Sequence, residues 1–290
     1  MNEQKYKIID VSNWEIYDKG KGYSESYWLI NPETRERALF KVPKYNLHHR
    51  CYGGSHWAEK IVSELGKILG LQMPEVDLAL YEQKQGCISY RFLEKHDSLR
   101  EGIEVMSAEV TKNNRENYYL KNILKDLEEY NLVEDFIKIL IFDGFIGQTD
   151  RHEENWGIII SEKNSEKTKL APIYDNASSL GRELLSHKIE QMLKDDNYFI
   201  SYIERCNSCI KLAENTNPSQ FEVLQYIYSK YTGLYEELAF KLKQIENDII
   251  KKVVFKVPST FMTQKQKELV VKILLERKQR LIALTEKGVD

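Results

Sequence analysis

The hydrophobic pattern changes character near residue 95. Before that point, short apolar stretches rich in β-branched and aromatic residues alternate with turn sequences, which is typical of strands. The predicted strands cover residues 8–16, 24–30, 37–42, 76–81 and 87–92. This part of the chain is therefore predicted to be mainly β structure.

One helix is predicted within the strand-rich part, with Ser55 as its N-cap residue and Gly70 at its C-terminal end. Apolar residues recur there three and four positions apart, as on one face of a helix. They are Trp57, Ile61, Leu65 and Ile68.

After residue 95 the helical period dominates. Residues 120–147 are predicted to be mostly helical, and residues 136–146 are apolar on nearly every side, which indicates a buried helix. Two short strands are predicted at residues 156–161 and 170–174, and the remainder is helical. The last helix is predicted to pack in the core through Leu269, Ile273, Leu274, Arg277 and Leu281.

These patterns predict an α+β fold in two lobes. The small strand-rich lobe is expected to span residues 1–95 and the larger helical lobe residues 96–290. A ligand-binding cleft is expected between two such lobes. Residues 100–118 have mixed polarity and predict an irregular loop without an assigned role.

The charge balance and the apolar runs exclude several classes of protein. The chain has 42 Lys+Arg and 45 Asp+Glu, a formal net charge of −3, so we expect no direct nucleic-acid partner. No apolar run reaches the roughly 20 residues of a membrane span, and no secretory signal is recognisable. We expect a cytoplasmic protein, although export without such a signal stays open. Cys206 and Cys209 are predicted to be plain thiols one helical turn apart.

The densest set of polar residues lies at positions 147–156, between the predicted buried helix and a strand hairpin. Asn155 begins the first strand and Asp175 ends the second, so antiparallel pairing brings an amide oxygen and a carboxylate to one point. These ligands suit Mg²⁺. Asp150, five residues before Asn155, is predicted to orient a reacting hydroxyl, with Arg151 and His152 as supporting residues.

Phosphoryl transfer also needs a lysine on the phosphates. Lys41 is the one charge in the apolar strand segment 39–42, which favours a role beside an anion. Glu59 lies on the following helix, away from its apolar face, and is predicted to hold Lys41. The alternatives are a snorkelling edge-strand lysine and a solvated surface glutamate.

The sequence defines less clearly which segment would lie over the phosphates. Gly20 and Gly22 flank a hairpin that could lie over phosphates, and the Gly53-Gly54 pair at a helix N-terminus is a rival anion site. The backbone near Tyr90, at the end of a predicted strand, is expected to bind the edge of adenine.

Several segments together resemble one bacterial protein family, the HipA-like kinases. They are Gly147-x-x-Asp150-Arg151-His152-x-x-Asn155-Trp156, residues 170–175, residues 40–43, the helix with Glu59, Tyr90-Arg91-Phe92, Phe261-Met262 and the closing helix. The last two segments are similar to the compact, stand-alone type known from Helicobacter. The resemblance implies a two-lobed fold related to eukaryotic protein kinases and lipid kinases.

The resemblance also implies an activity, ATP- and Mg²⁺-dependent phosphorylation of protein Ser/Thr hydroxyls. Asp150 is then the catalytic base, Asn155 and Asp175 hold Mg²⁺, and Lys41 binds ATP phosphates. The segment from Tyr90 to Phe92 corresponds to the hinge that binds the nucleotide.

Partners and regulation follow from the same resemblance. A protein substrate is implied, and the toxins of the family imply an antitoxin-like partner. Some members phosphorylate a serine in the phosphate loop, and Ser24 and Ser26 are our hypothesis for such autophosphorylation sites. Two other interpretations stay open: a small-molecule or lipid kinase, which uses the same Asp/Asn/Asp set, and a nucleotide-binding pseudokinase.

Overall fold

The computed structural model describes residues 4–20, 25–49, 51–107, 110, 115–161, 164–213 and 217–286. The strands are β1 (Ile8–Asp10), β2 (Glu15–Lys19), β3 (Ser26–Ile30), β4 (Arg37–Lys41), β5 (Tyr45–Asn46), β6 (Cys51–Tyr52), β7 (Val76–Tyr81), β8 (Lys84–Tyr90), β9 (Asp97–Glu101), β10 (Gly157–Ser161) and β11 (Asn164–Leu170). The helices are α1 (Ser55–Ile68), α2 (Gly102–Val105), α3 (Leu120–Glu128), α4 (Val133–Ile146), α5 (Ser186–Lys194), α6 (Asp196–Glu204), α7 (Gln220–Lys230), α8 (Thr232–Gln244), α9 (Asn247–Phe255) and α10 (Gln264–Glu286).

The described residues form two compact units. The first unit takes them from Met1–Phe92, Asn176–Phe199 and Glu246–Ile273. The second takes them from Leu93–Asp175, Ile200–Ile245 and Leu274–Asp290. Each unit thus gathers separate stretches of chain, and the domain boundary expected at residue 95 stays a prediction.

A six-stranded sheet in the order β1-β7-β8-β4-β3-β2 forms the frame of the first unit. β1 runs parallel to β7, and the other neighbours are antiparallel. Lys41 ends β4, opposite Ser26 of β3 and Cys87 of β8. Alternate residues of the strands build a buried cluster consisting of Val11, Trp14, Leu29, Ala38, Phe40, Val42, Ala79 and Ile88.

Helix α1 packs against β7, β8 and α9 in the same unit. The predicted apolar face is buried at Trp57, Ile61 and Leu65, whereas Ile68 at the helix end is 44% exposed. Gly54, not Ser55, occupies the N-cap position, and its lack of a side chain leaves the helix without a side-chain cap. The helix is therefore held by its packing.

The second unit is organised around α4, which is buried on almost every side as its composition predicts. It packs against α3, α7 and α8. A three-stranded antiparallel sheet in the order β11-β10-β9 lies in the same unit. The predicted core face of α10 is confirmed, since Leu269 and Ile273 of the first unit and Leu274, Arg277 and Leu281 of the second are all buried.

Several predicted boundaries are wrong because side chains or tertiary pairing override the local pattern. The strand predicted at residues 8–16 is broken after Asp10, whose carboxylate accepts hydrogen bonds from the backbone and hydroxyl of Ser12. Residues 120–147 are mostly helical, as predicted, and are divided into α3 and α4 near Asn131, which has φ 56°. Cys206 and Cys209 lie after the end of α6 and outside any helix.

The hairpin near the candidate chemistry also differs from its prediction. The returning strand is Asn164–Leu170, so residues 171–174 extend beyond it. A third strand, Asp97–Glu101, pairs with β10 and takes up part of the segment predicted as a loop at residues 100–118. No helix in the described ranges is both long enough and apolar enough to cross a membrane.

His56 near the start of α1 generates a prediction about pH. Its side chain is buried, its ring centroid lies 5.4 Å from that of Phe261, and burial lowers its pKa from 6.5 to about 4. The unfolded chain therefore binds this proton at higher pH than the folded chain, and protonation favours unfolding. We expect the free energy of unfolding to fall by about 3 kcal/mol through this group between pH 6.5 and 4.

The measurement is urea denaturation across that pH range for the wild type and His56→Leu. The variant is expected to lose this part of the pH dependence, while His48→Leu, at an exposed position, keeps it. Equal pH slopes for wild type and His56→Leu would contradict the assignment.

Candidate functional site

The candidate catalytic loop begins where α4 ends. Gly147 has φ 70° and caps the helix in the left-handed conformation. A Cβ at this position would lie 2.9 Å from Nε of Arg277, so glycine satisfies both the backbone and the packing. The chain turns there and enters residues 148–156.

Arg151 is buried at the centre of this loop. Its Nε and Nη2 donate to the two carboxylate oxygens of Asp143 at 2.9 and 2.7 Å. Its Nη1 donates to the carbonyls of Asn155 at 2.7 Å and Tyr174 at 2.8 Å. One side chain therefore holds the backbone just before β10 next to the residue that precedes Asp175.

The Arg151–Asp143 pair lies away from water, and burial raises the pKa of Asp143 while the guanidinium acts in the opposite direction. Tyr118 binds the backbone of Arg151. Its hydroxyl donates to the Arg151 carbonyl at 2.8 Å and accepts from Trp156 Nε1 at 2.9 Å. Burial raises the pKa of Tyr118 as well. These buried polar groups are hydrogen-bonded to one another, as groups removed from water need to be.

Gln148 connects the backbones of two candidate site residues. Its Nε2 donates to the carbonyl of Asp175 at 3.0 Å, and its Oε1 accepts from the backbone N–H of Asp150 at 3.2 Å. Its own backbone N–H donates to the Asp143 carbonyl at 3.0 Å. The side-chain amide thus links the predicted base to the predicted metal ligand.

Asn155 and Asp150 are joined directly. Asn155 Nδ2 donates to the Asp150 carbonyl at 2.7 Å, which leaves Oδ1 as the atom of the amide suited to a cation. His152 accepts the backbone N–H of Glu154 through Nδ1 at 3.2 Å, and its carbonyl accepts the N–H of Asn155. His152 thus makes hydrogen bonds within the loop.

Asp175 has φ 54°, a left-handed conformation that a non-glycine residue adopts at a cost of about 1–3 kcal/mol. The contacts of Gln148 with its carbonyl and of Arg151 with the preceding carbonyl maintain it. The amide of Asn155 and the carboxylate of Asp175 are oxygen donors of the kind that Mg²⁺ takes in proteins. The donor chemistry of this segment therefore fits the predicted metal.

In the first unit the structure brings Lys41 and Glu59 together. Lys41 Nζ lies 3.0 Å from Oε1 of Glu59, whose side chain is 5% exposed. The other oxygen, Oε2, accepts the backbone N–H of Asn176 at 3.1 Å. Glu59 therefore orients Lys41 and also holds the residue that follows Asp175 in the chain.

The other residues predicted to bind the nucleotide differ in their burial and in their hydrogen-bond partners. Gly20 donates its N–H to the Ser26 carbonyl at 2.9 Å, and Ser26 is buried in β3. The Tyr90 N–H donates to the carbonyl of Glu75 in the sheet, and burial together with Asp77 raises the pKa of Tyr90 to about 12. Phe92 is partly buried and ends the first stretch of the first unit.

Gly22 and Ser24 lie outside the described residues. The alternative anion site at the Gly53-Gly54 pair has fewer available N–H donors than the sequence suggests. The N–H groups of Gly53 and Gly54 donate to the carbonyls of Lys44 and Arg182 at 3.0 and 2.8 Å. These two donors are thus engaged within the chain.

Sequence reasoning missed three residues that hold the site, Asp143, Gln148 and Tyr118. Asp143 had a signal, since it is an acid in a helix that is otherwise buried and apolar. Tyr118 lies 33 residues from its partner Arg151, and Gln148 reaches Asp175 across 27 residues, so neither contact leaves a local pattern.

The fold is that of a two-lobed, kinase-like protein. The structure of the proinflammatory kinase CtkA of Helicobacter pylori matches with a TM-score of 0.80 and 19% sequence identity, over 98% of this chain and 100% of that one. The structure of the Shewanella oneidensis MR-1 toxin–antitoxin system HipA, HipB and operator DNA matches with a TM-score of 0.56 and 13% identity. That match covers 94% of this chain and 66% of the other. The predicted α+β, kinase-like fold class is therefore confirmed.

The sequence itself identifies the family. The HipA-like C-terminal domain matches residues 6–254, so the chain belongs to the HipA-like family, as the motifs predict. The serine/threonine-protein kinase CtkA of Helicobacter pylori strain J99 is 22% identical over 94% of this chain and 86% of that protein.

The buried pair generates a stability prediction. Asp143→Asn leaves the Arg151 charge buried without its partner, which is expected to lower the free energy of unfolding by about 3–5 kcal/mol. Asp135→Asn is the matched control on the same helix, because its pair with Lys138 at 3.3 Å is solvent-exposed and its loss is expected to change stability by less than about 1 kcal/mol. Chemical denaturation measures both. Equal losses in the two variants would show that the buried pair is not special.

Proposed function

We propose that this protein is an ATP- and Mg²⁺-dependent serine/threonine-protein kinase. The observation that carries the proposal is the hydrogen-bonded arrangement of Asp150, Asn155 and Asp175 in a chain of the HipA-like family. The Lys41–Glu59 pair of the first unit supports it, because kinases use such a pair for the nucleotide phosphates.

In this proposal Asp150 accepts the proton of the attacking Ser or Thr hydroxyl and orients that oxygen. The hydrogen bonds of Asp150 with Gln148 and Asn155 are made by its backbone N–H and carbonyl and do not involve its carboxylate. Asn155 and Asp175 are the residues that would hold Mg²⁺, which neutralises phosphate charge. Lys41, oriented by Glu59, binds phosphate oxygens of ATP.

The substrate is proposed to be a protein hydroxyl, including one of the chain's own serines. Ser26 is buried in β3, so its phosphorylation requires the strand to open, while Ser24 stays a sequence-based hypothesis. An antitoxin-like partner also stays a prediction, as does residence in the cytoplasm.

The decisive experiment is incubation with γ-labelled ATP and Mg²⁺, alone and with a general protein acceptor such as casein. Label on Ser or Thr is expected in the wild type. Asp150→Asn is expected to reduce its rate about 10²–10⁴-fold because the proton acceptor is lost, and Asp175→Asn is expected to abolish it. Asp135→Asn, on the exposed surface of α4, is expected to label normally.

The outcomes separate the alternatives. ATP binding without protein label, equal in wild type and variants, would indicate a small-molecule or lipid kinase or a pseudokinase. Unchanged labelling in Asp150→Asn would remove the proposed base. Intact mass after ATP incubation tests autophosphorylation, and mapping by mass spectrometry that finds no added phosphate at Ser24 or Ser26 would reject those two sites.

Glu59→Gln tests the nucleotide lysine. The variant removes the negative charge that orients Lys41 while it keeps the size of the side chain, and the KM for ATP is expected to rise about tenfold. Glu64→Gln is the matched control, because Glu64 lies on the same helix and pairs with Lys60 at 2.9 Å. Equal KM values for ATP in the two variants would contradict the role of Glu59.

A further inference from the structure

We propose that Arg277 and Gln220 are positioning residues for the catalytic loop and that they act through Gln148. The inference rests on the proposed kinase function for its catalytic consequence, and on the hydrogen bonds alone for the positioning itself. Neither residue belongs to the loop, and neither touches Asp150 or Asp175 in the hydrogen bonds described above.

The first step is the link from α7 to the loop. Gln220 is the first residue of α7 and is 4% exposed. Its Nε2 donates to the backbone carbonyl of Gln148. The side chain of the same Gln148 holds the Asp150 N–H and the Asp175 carbonyl. Gln220 is therefore hydrogen-bonded to the residue that joins the proposed base and the proposed metal ligand.

The second step is the orientation of the Gln220 amide. Arg277 Nη1 donates to Gln220 Oε1 at 2.8 Å. A guanidinium has donors and no acceptor, so it can contact only the oxygen of the amide. The NH₂ group is then directed to the Gln148 carbonyl. The backbone of Gln220 is held separately, by its N–H to the Cys206 carbonyl at 2.9 Å.

The third step is the location of Arg277 itself. Its side chain is 1% exposed, and its Nη1 also donates to the Gly144 carbonyl at 2.9 Å in the last turn of α4. Burial lowers the pKa of Arg277, and no carboxylate among the described residues forms an ion pair with it. The C-terminal carbonyls of a helix attract a cation, which explains why the charge is located at this helix end.

A buried arginine without a carboxylate is costly to fold. The two acceptors of its Nη1 are the Gly144 carbonyl near the end of α4, where the loop starts, and the amide oxygen of the glutamine that holds Gln148. Arg277 thus sets the position of the loop relative to α7 at both contacts. A cavity of about 20 Å³ bordered by Gly144, Gln148 and Gln220 lies beside these groups, so close packing is incomplete at this point of the loop.

Gln220→Glu separates positioning from stability. The carboxylate keeps the acceptor for Arg277 and gives that cation an ion-pair partner, so the Tm is expected to stay equal or rise. The donor to the Gln148 carbonyl is lost and replaced by repulsion between two oxygens. We expect at least tenfold faster amide hydrogen exchange in the peptide covering residues 147–156, and a kcat for labelling at least tenfold lower with a KM for ATP within twofold of wild type.

Two further variants control for folding. Arg277→Met is expected to lower the Tm and to accelerate loop exchange. Lys278→Met is the matched control, because Lys278 is the next residue of α10, is also buried and caps the Ile245 carbonyl. It is expected to lower the Tm similarly while loop exchange and kcat stay within twofold of wild type.

The readouts distinguish the two proposals. If the wild type does not label any protein but Gln220→Glu still accelerates loop exchange, the proposed function fails and the positioning role stands. Loop exchange at the wild-type rate in Gln220→Glu would overturn the positioning role, whether or not the protein is a kinase. Equal acceleration of loop exchange by Lys278→Met would also overturn it, because the effect would then reflect general loss of stability.

Discussion

The arrangement of the candidate site depends on one buried guanidinium, that of Arg151. An arginine removed from water needs acceptors for its donors. Asp143 supplies two oxygens, and the carbonyls of Asn155 and Tyr174 supply the others. Because these carbonyls lie just before β10 and beyond the end of β11, pairing the charge also brings together the segments that carry Asn155 and Asp175. The metal-binding geometry that we propose is therefore a consequence of satisfying a buried charge.

Other side chains of the candidate site also hold two groups each. Gln148 uses one amide to hold the backbones of Asp150 and Asp175, and the positive φ of Asp175 is accompanied by hydrogen bonds to its own carbonyl and to the preceding carbonyl. In the first unit, Glu59 divides its two oxygens between Lys41 and the Asn176 N–H. In each case a residue that does no chemistry in our proposal determines where a chemical group lies. On the proposed function, substitutions at such residues are expected to change activity without removing a reacting atom.

The comparison with CtkA shows how little identity this fold requires. At 19% identity the TM-score is still 0.80, so the frame of sheet and helices tolerates replacement of most side chains. Cores accept such change when volume and hydrophobic pattern are kept. A buried polar arrangement tolerates less, because each donor needs a specific acceptor. The function of this family member is thus better judged from the polar groups around Asp150 than from the fold.

Local periodicity determined much of this protein. It predicted β4 and β7 to within a residue, the buried α4 and the core face of α10, because these signals lie within one turn or one strand. The spacing of Asp150, Asn155 and Asp175 predicted their proximity, since a hairpin is a local structure. Tertiary structure alone decided how they are held. Glu59 reaches Asn176 across 117 residues, Gln220 reaches Gln148 across 72, and Arg277 reaches Gly144 across 133. Such contacts have no period in the sequence, because the partner is chosen by packing of distant elements and by the need of each buried polar atom for a partner.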